Sequence, residues 1–194
     1  MNFTKKYILE ASQILRSFDT NIIEKMANII AKTRTNKGRI FFLGSGGSAA
    51  NASHAVNDFR KLANIECYSP SDNCSELTAR INDDGWKNSY SGWLKVSKIN
   101  KKDTLFILSV GGGDNKKKIS ENLIEAIKVA KYKKRKILGI VGPNGGYTYN
   151  QADVALKINV TNTKNQTPHT EAFHMVISHL LVSHPKIKIN KTKW

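Results

Sequence analysis

Residues 39 to 58 read Arg39-Ile40-Phe41-Phe42-Leu43-Gly44-Ser45-Gly46-Gly47-Ser48-Ala49-Ala50-Asn51-Ala52-Ser53-His54-Ala55-Val56-Asn57-Asp58. A β-branched and aromatic run gives way to small residues and then to helix formers, a pattern that predicts strand, tight loop and helix. The loop suits an anion. Glycines let the backbone approach a ligand closely, Ser45 and Ser48 add hydroxyl donors, and the free N–H groups of the first helical turn point at bound charge. On the following helix His54 and Asp58 stand four apart and share a face, so a metal ligand or general base is expected behind the anion. Taken alone, the loop has two other readings. Gly44, Gly46 and Ala49 also satisfy the dinucleotide pattern G-x-G-x-x-(G/A), with Glu66 near the end of the next apolar run, where a ribose-binding acid belongs. A plain strand-to-helix turn with a solvated histidine is the simplest.

Ahead of this unit, Phe3, Tyr7, Ile8, Ala11, Ile14, Leu15 and Phe18 recur at helical spacing, and Ile22, Ile23, Met26, Ile29 and Ile30 give a second helix that ends before Asn36-Lys37-Gly38. This pair adds an apolar surface that the α/β unit's own crossovers do not need, which predicts oligomerisation. After it, the pattern gives a strand over Ile65 to Ser69, a polar turn at Asn82-Asp83-Asp84-Gly85, a helix over Trp86 to Val96 and a strand over Thr104 to Ser109. A helix from Ser120 to Tyr132, strands over Lys136 to Val141 and Val154 to Ile158, and a last helix from Thr167 to Leu181 complete the alternation. The lysine-rich tail beyond Pro185 is expected to be loose.

Strands alternating with helices predict an α/β fold of three layers, a central parallel sheet flanked by helices, with the N-terminal helical pair added. The division is 1–36 for the helical pair, 37–185 for the main domain and 186–194 for the basic tail. Ligands of such sheets bind beyond the carboxyl ends of the strands. Three strands end there in glycine-rich loops, at Gly44, Gly111 and Gly142, so a phosphate-bearing ligand is expected.

The 194 residues carry 31 Lys and Arg against 15 acids, a net charge of +16 that suits a nucleic-acid binder or an enzyme for anionic substrates. The positive charge is spread widely, without interleaved aromatics or a DNA-reading motif, and the expectation is a phosphorylated metabolite and not nucleic acid. At 40% hydrophobic and 24% charged the chain can build a full core. No run suggests a membrane span or a signal peptide, and two cysteines are too few for a disulfide framework, so the expected compartment is the cytoplasm.

Taken together, Gly44-Ser45-Gly46-Gly47-Ser48-Ala49-Ala50 with His54, Ser75-Glu76-Leu77-Thr78-Ala79 with Asn82-Asp83, the Ser109 loop and a terminal helix carrying His179 resemble the sugar isomerase (SIS) domain of phosphoheptose isomerases. The similarity runs from about Ile8 to Leu181. It is closest to the sedoheptulose 7-phosphate isomerase branch whose last helix reads Thr-Pro-His-x-Glu-Ala-Phe, here Thr167-Pro168-His169-Thr170-Glu171-Ala172-Phe173. The resemblance implies a tetrameric cytoplasmic enzyme, often with zinc, that interconverts sedoheptulose 7-phosphate and a heptose 7-phosphate for a surface polysaccharide.

Carried over by position, His54, Asp58, Glu171 and His179 fall on the family's metal-binding and catalytic positions. The commoner form has Glu at position 58 and Gln at position 171, so this site keeps its oxygen ligands and gains a charge. Two histidines and two carboxylates suit zinc, and a metal-free hydrogen-bonded cluster is the alternative. For isomerisation the resemblance implies Asp58 or Glu171 as base and His179 as acid. Substrate contacts carry over to Ser45, Gly46 and Gly47, to Asn82 and Asp83, and to Ser109. Where the family has a run of hydroxyl residues after Ser109, this chain has Val110-Gly111-Gly112-Gly113-Asp114, and the glycine N–H groups with Ser120 are expected to form an anion nest instead. Lys116 to Lys118 stand next to it. His169 and His174 are left as structural. The reading from a different class is a non-catalytic SIS-fold protein that binds a sugar phosphate or a partner, because fold alone does not fix function.

Overall fold

A computed structural model describes residues 1–192. Five short apolar runs form one all-parallel sheet: β1 (Ile40–Leu43), β2 (Cys67–Tyr68), β3 (Thr104–Ser109), β4 (Lys136–Val141) and β5 (Val154–Lys157), in the order β2-β1-β3-β4-β5. The chain steps outward from β1 to β2, then returns to lay β3 on the other side of β1. Loops leaving β1 and β3 therefore diverge, which opens a crevice at their carboxyl ends.

The helices are α1 (Phe3–Arg16), α2 (Thr20–Thr35), α3 (Gly47–Ala63), α4 (Cys74–Val96), α5 (Glu121–Tyr132), α6 (Gly146–Gln151) and α7 (Gln166–Ser183). Central strands buried on both faces require near-continuous apolar runs, and every residue of β1 and β3 is buried. Successive side chains alternate between layers. Phe42, Phe106 and Ile140 pack with Met26 of α2, Phe59 of α3 and Phe173 of α7, while Phe41, Leu105 and Ile107 pack with Tyr90 and Trp93 of α4 and Ile127 of α5. The three-layer expectation holds. Among the described residues no helix is long and apolar enough to cross a membrane.

The N-terminal pair divides its roles. Asp19 caps α2, which buries Ile23, Met26, Ala27 and Ile30 in the domain's own core. Helix α1 is held by Ile14 and by Glu10, and leaves Phe3, Ile8, Leu9 and Leu15 exposed.

Three local expectations are corrected. Residues 82–84 form no turn: α4 continues through them, because Asn73 caps its start and Arg80 reaches Glu76 at 2.7 Å and Asp84 at 3.9 Å, one turn away on either side. The break falls at Gly85, whose φ of 76° and ψ of 157° few other residues adopt. Helix α6 was not anticipated within the Gly142–Gln151 stretch. The basic tail is not loose as far as Asn190, since Ile187 is fully buried and the N–H groups of Ile189 and Asn190 both donate to the Leu62 carbonyl at 3.0 Å. Arg34 adds bonds to the carbonyls of Lys186 and Ile187. The isoleucines among the lysines hold that segment down, and the last two residues of the tail lie outside the described residues.

Candidate active site

The loop after β1 forms the expected strand-to-helix turn. Gly46, with φ 60°, begins α3, and Gly47 is its first residue. Helix α7 lies alongside and runs parallel. At the upstream end the Glu171 carboxylate rests on Gly47, where a Cβ would meet Oε2 at 2.4 Å, and Asn51 Nδ2 donates to the Glu171 carbonyl at 2.8 Å. Further along both helices three side chains converge. His54 Nε2 lies 3.2 Å from Asp58 Oδ2 and 3.2 Å from His179 Nε2, and His179 Nε2 lies 3.3 Å from Asp58 Oδ2. Both imidazoles are about half exposed, and Asp58 is mostly covered at 17%.

This group can hold a metal ion. Zinc with ligands at about 2.0–2.1 Å in a tetrahedron separates those ligands by about 3.3–3.4 Å. The three edges, 3.2, 3.2 and 3.3 Å, match one face of that tetrahedron. Two imidazoles and a carboxylate are also ordinary zinc donors. Glu171 is not in the group: its backbone, eight residues before that of His179, lies about 12 Å back along the axis of α7. Of the four positions read together from the sequence, the structure brings three into contact and sets the fourth at the glycine loop.

Under the crevice, Asn122 and Tyr90 support the loop from below. Asn122 Nδ2 donates to Ser45 Oγ at 3.2 Å, and the Tyr90 hydroxyl donates to the Gly44 carbonyl at 2.7 Å. Burial pushes the Tyr90 phenol up, against hydrogen bonds from Ser45 and Asn122. Sequence reading missed both residues. Asn122 carried a signal, as an uncharged polar residue directly before the buried Leu123 and Ile124. Ser48 is buried within the first turn of α3.

The loop after β3 is bonded largely to itself. Ser109 Oγ accepts the Gly112 N–H at 3.0 Å, and the Gly112 carbonyl accepts from the Thr148 N–H and hydroxyl, both at 2.8 Å. One N–H of the expected nest is thus already engaged. Asp114 Oδ1 accepts from the N–H groups of Lys117 and Lys116, which hold its carboxyl below the usual range. Asp114 and Ile119 pair antiparallel, closing a small hairpin, and Ser120 begins α5 with φ 52°. Between this hairpin and α6 lies a cleft of about 550 Å³, lined among others by Gly111, Gly113, Asp114, Lys116, Lys117 and Tyr147.

Asn82 and Asp83 are exposed on α4, where Asn82 Nδ2 donates to Asp83 Oδ1 at 2.8 Å, and neither lines that cleft. Glu66 accepts the Tyr68 hydroxyl at 3.0 Å. His169 and His174 are buried, His169 bonded to Glu10 and His174 to the Ile140 carbonyl, both at 3.1 Å.

The family described as SIS domain matches residues 6–142. A phosphoheptose isomerase of Cytophaga hutchinsonii is 32% identical over 89% of this chain and 90% of its own length. One of Chlorobaculum parvum is 30% identical over 84% of this chain and 77% of its own. The fold is shared with a phosphoheptose isomerase structure from Francisella tularensis, with a TM-score of 0.79 and 20% identity over 94% of this chain and 97% of that one.

Proposed function

Because the chain belongs to the phosphoheptose isomerase family of SIS-domain proteins, we propose that it interconverts sedoheptulose 7-phosphate and D-glycero-D-manno-heptose 7-phosphate by enediol proton transfer. The observation that carries the reading is the convergence of His54, Asp58 and His179 on helices that also bring Glu171 to the glycine loop of the crevice.

Aldose–ketose isomerisation takes a proton from one carbon, returns one to its neighbour, and moves a proton onto and off the carbonyl oxygen. Asp58 Oδ2 is held between two imidazoles, whereas the Glu171 carboxylate makes no ion pair among the described residues. Glu171 is therefore the carboxylate we assign as base, with its proton coming from the carbon beside the carbonyl. In the metal-free protein His179 supplies the proton to the carbonyl oxygen, and His54 and Asp58 hold its ring. A zinc ion would be held by His54, Asp58 and His179 and would supply Lewis-acid polarisation of the carbonyl in place of that proton.

Ser45, Gly46 and Gly47, with Ser48 behind them, face the sugar, and Asn82 and Asp83 close on it from α4. Ser109, Gly111, Gly112, Asp114 and Ser120 shape the phosphate end, with Lys116 and Lys117 as its cations. The carboxylate of Glu171 at the start of α3 repels a phosphate from that helix end, which supports this orientation. The exposed apolar residues of α1 support a homotetramer. The activity is assigned to the cytoplasm and to heptose supply for a surface polysaccharide.

The test is an NMR assay of purified, metal-analysed protein on sedoheptulose 7-phosphate, repeated after chelation and after zinc is restored. Appearance of the heptose phosphate supports the isomerase. Binding without conversion in both metal states would move the protein to the non-catalytic class.

A further inference from the structure

Helices α4 and α5 each return from the carboxyl end of one strand to the amino end of the next, so their last turns lie at the edge of the sheet opposite the crevice. Residues 95–102 and 131–136 meet there, and Lys95, Lys98, Ile99, Val129 and Lys133 line one cavity of about 300 Å³ between them. Nine of the fourteen residues in those two stretches are Lys or Arg, and none is acidic. The nearby acids are already taken: Asp103 is buried against Arg39 at 2.8 Å, and Asp153 holds Lys136 at 2.6 Å. Lys95, Lys98, Lys101, Lys102, Lys131 and Lys133 are exposed and form no ion pair among the described residues.

A sugar phosphate in the crevice does not account for this charge, because it sits beyond the other end of the strands. Helix ends account for little of it. Lys95 and Lys131 lie in last turns, where a cation offsets the helix dipole. The other lysines lie beyond, and Lys98 and Lys134 take left-handed conformations, φ 51° and 55°, that favour glycine or asparagine.

Two further features select the kind of anion. Val96 and Tyr132 stand among these lysines 66% and 84% exposed. Apolar surface gains nothing from a phosphate backbone, whereas in the headgroup layer of a bilayer it leaves water, and tyrosine is enriched at that depth. The guanidinium groups of this corner are turned inward, Arg39 onto Asp103 and Arg135 onto the Lys133 carbonyl with its Nη1 buried. What faces outward is lysine, a mobile point charge that suits a fluid array of headgroups and not the forked, fixed recognition of an ordered partner. We infer that this corner docks on an anionic membrane surface, with the lysines facing acidic headgroups, Val96 and Tyr132 entering the headgroup layer, and the crevice facing away from the bilayer. The inference stands apart from the isomerase reading.

The test is co-sedimentation of the full chain with vesicles of phosphatidylcholine alone and of phosphatidylcholine mixed with phosphatidylglycerol, at low and high salt. The protein should partition onto the anionic vesicles only and come off as salt rises. Lys95→Gln with Lys133→Gln should lower the partition coefficient about 30-fold, about fivefold for each charge. Val96→Ser with Tyr132→Ser should lower it about tenfold. All four side chains are exposed at the edge away from the crevice, so melting temperature and turnover of sedoheptulose 7-phosphate should match the wild type in both pairs. Equal binding to the two kinds of vesicle, no binding to the anionic ones at low salt, or wild-type partitioning of either pair overturns the inference. Tighter binding per phosphate to a single-stranded oligonucleotide than to the anionic vesicles overturns it in favour of nucleic acid. The vesicle result reads the same whether or not the protein converts the sugar, so failure of one reading does not carry the other with it.

Discussion

The carboxylate of Glu171 occupies the space that a side chain at Gly47 would need: Oε2 lies 2.4 Å and Oε1 2.7 Å from the Cβ position. The two residues come from α3 and α7, so the contact joins the glycine loop to the helix that also carries His179. A side chain at Gly47 would therefore displace the Glu171 carboxylate, the free end of a flexible chain, without straining the backbone. Gly47→Ala must push Glu171 away while leaving the loop's backbone conformation accessible. Because misplacing a reacting group by about 1 Å can cost about 100-fold, kcat should fall by that order. Steady-state kinetics beside a thermal melt check this, and a variant with full kcat would remove Glu171 from the chemistry.

Asp58 and His179 meet at 3.3 Å with His54 3.2 Å from each, and either loss breaks the group. His179→Gln should lower turnover by about 10² to 10⁴, the range for a positioned acid, and Asp58→Asn should lower it in the same direction by releasing the His179 ring. The oligomer, read by light scattering, should persist. Near-normal turnover in either purified variant would remove that residue from the mechanism.

The same triangle predicts a metal response. Zinc added to chelated protein should raise the melting temperature, since a ligand at about 100 times its Kd stabilises by about 2.7 kcal/mol. His54→Ala should abolish that rise while the chelated protein melts as before. A zinc-dependent rise that survives His54→Ala would place the metal elsewhere.

Most of the frame was legible because its signals are local. The runs Ile40 to Leu43, Thr104 to Ser109 and Lys136 to Val141 are apolar at nearly every position, and their strands begin and end where the pattern does. The four-residue spacing of His54 and Asp58 likewise put them on one face. What escaped was set by contacts distant in sequence. Asn82 and Asp83 read as a turn from their composition, yet Glu76, Arg80 and Asp84 hold them in a helix. The tail read as loose from its lysines, yet Ile187 finds a buried site and Leu62 supplies an acceptor for two N–H groups. Glu171 and His179 sit on one helix, but only the packing of α3 against α7 assigns them to different places.

The β3 loop changes what is expected of Ser109. Its hydroxyl oxygen accepts from Gly112, so it holds the loop from within. Ser109→Ala should lower stability by about 1 kcal/mol and raise KM by loosening Gly111 to Asp114. The double change Lys116→Ala with Lys117→Ala should raise KM about tenfold or more, at the strength of charge-assisted bonds to phosphate, with stability untouched because both side chains are exposed. Rising salt should weaken wild-type binding and leave the double variant less affected. Unchanged KM and salt dependence in the double variant would put the phosphate outside the cleft.

Acid stability should fall in two stages, the upper from His174 and the lower from carboxylates of which Glu10 is the most strongly held. Burial pushes His174 down to about 4 despite its bond to the Ile140 carbonyl, so between its ordinary value of 6.5 and 4 the unfolded chain binds a proton that the folded chain refuses. Stability is full above that window and declines as pH falls through it. Glu10 is held at about 2, first by Asn165 and Asn162 and then by His169, so its contribution is full above its ordinary 4.5 and is lost between there and 2. In both cases the native pKa is the lower, and acid opposes folding. Glu10→Gln removes Glu10's share of the lower stage: the variant should melt earlier at neutral pH, where the carboxylate's bonds from Asn162, Asn165 and His169 are gone, and lose less than the wild type below pH about 4.5. Melting temperature followed from pH 8 to 3 in both proteins decides this, and a variant whose drop below that pH equals the wild type's would show that the Glu10 cluster does not carry the acid limb.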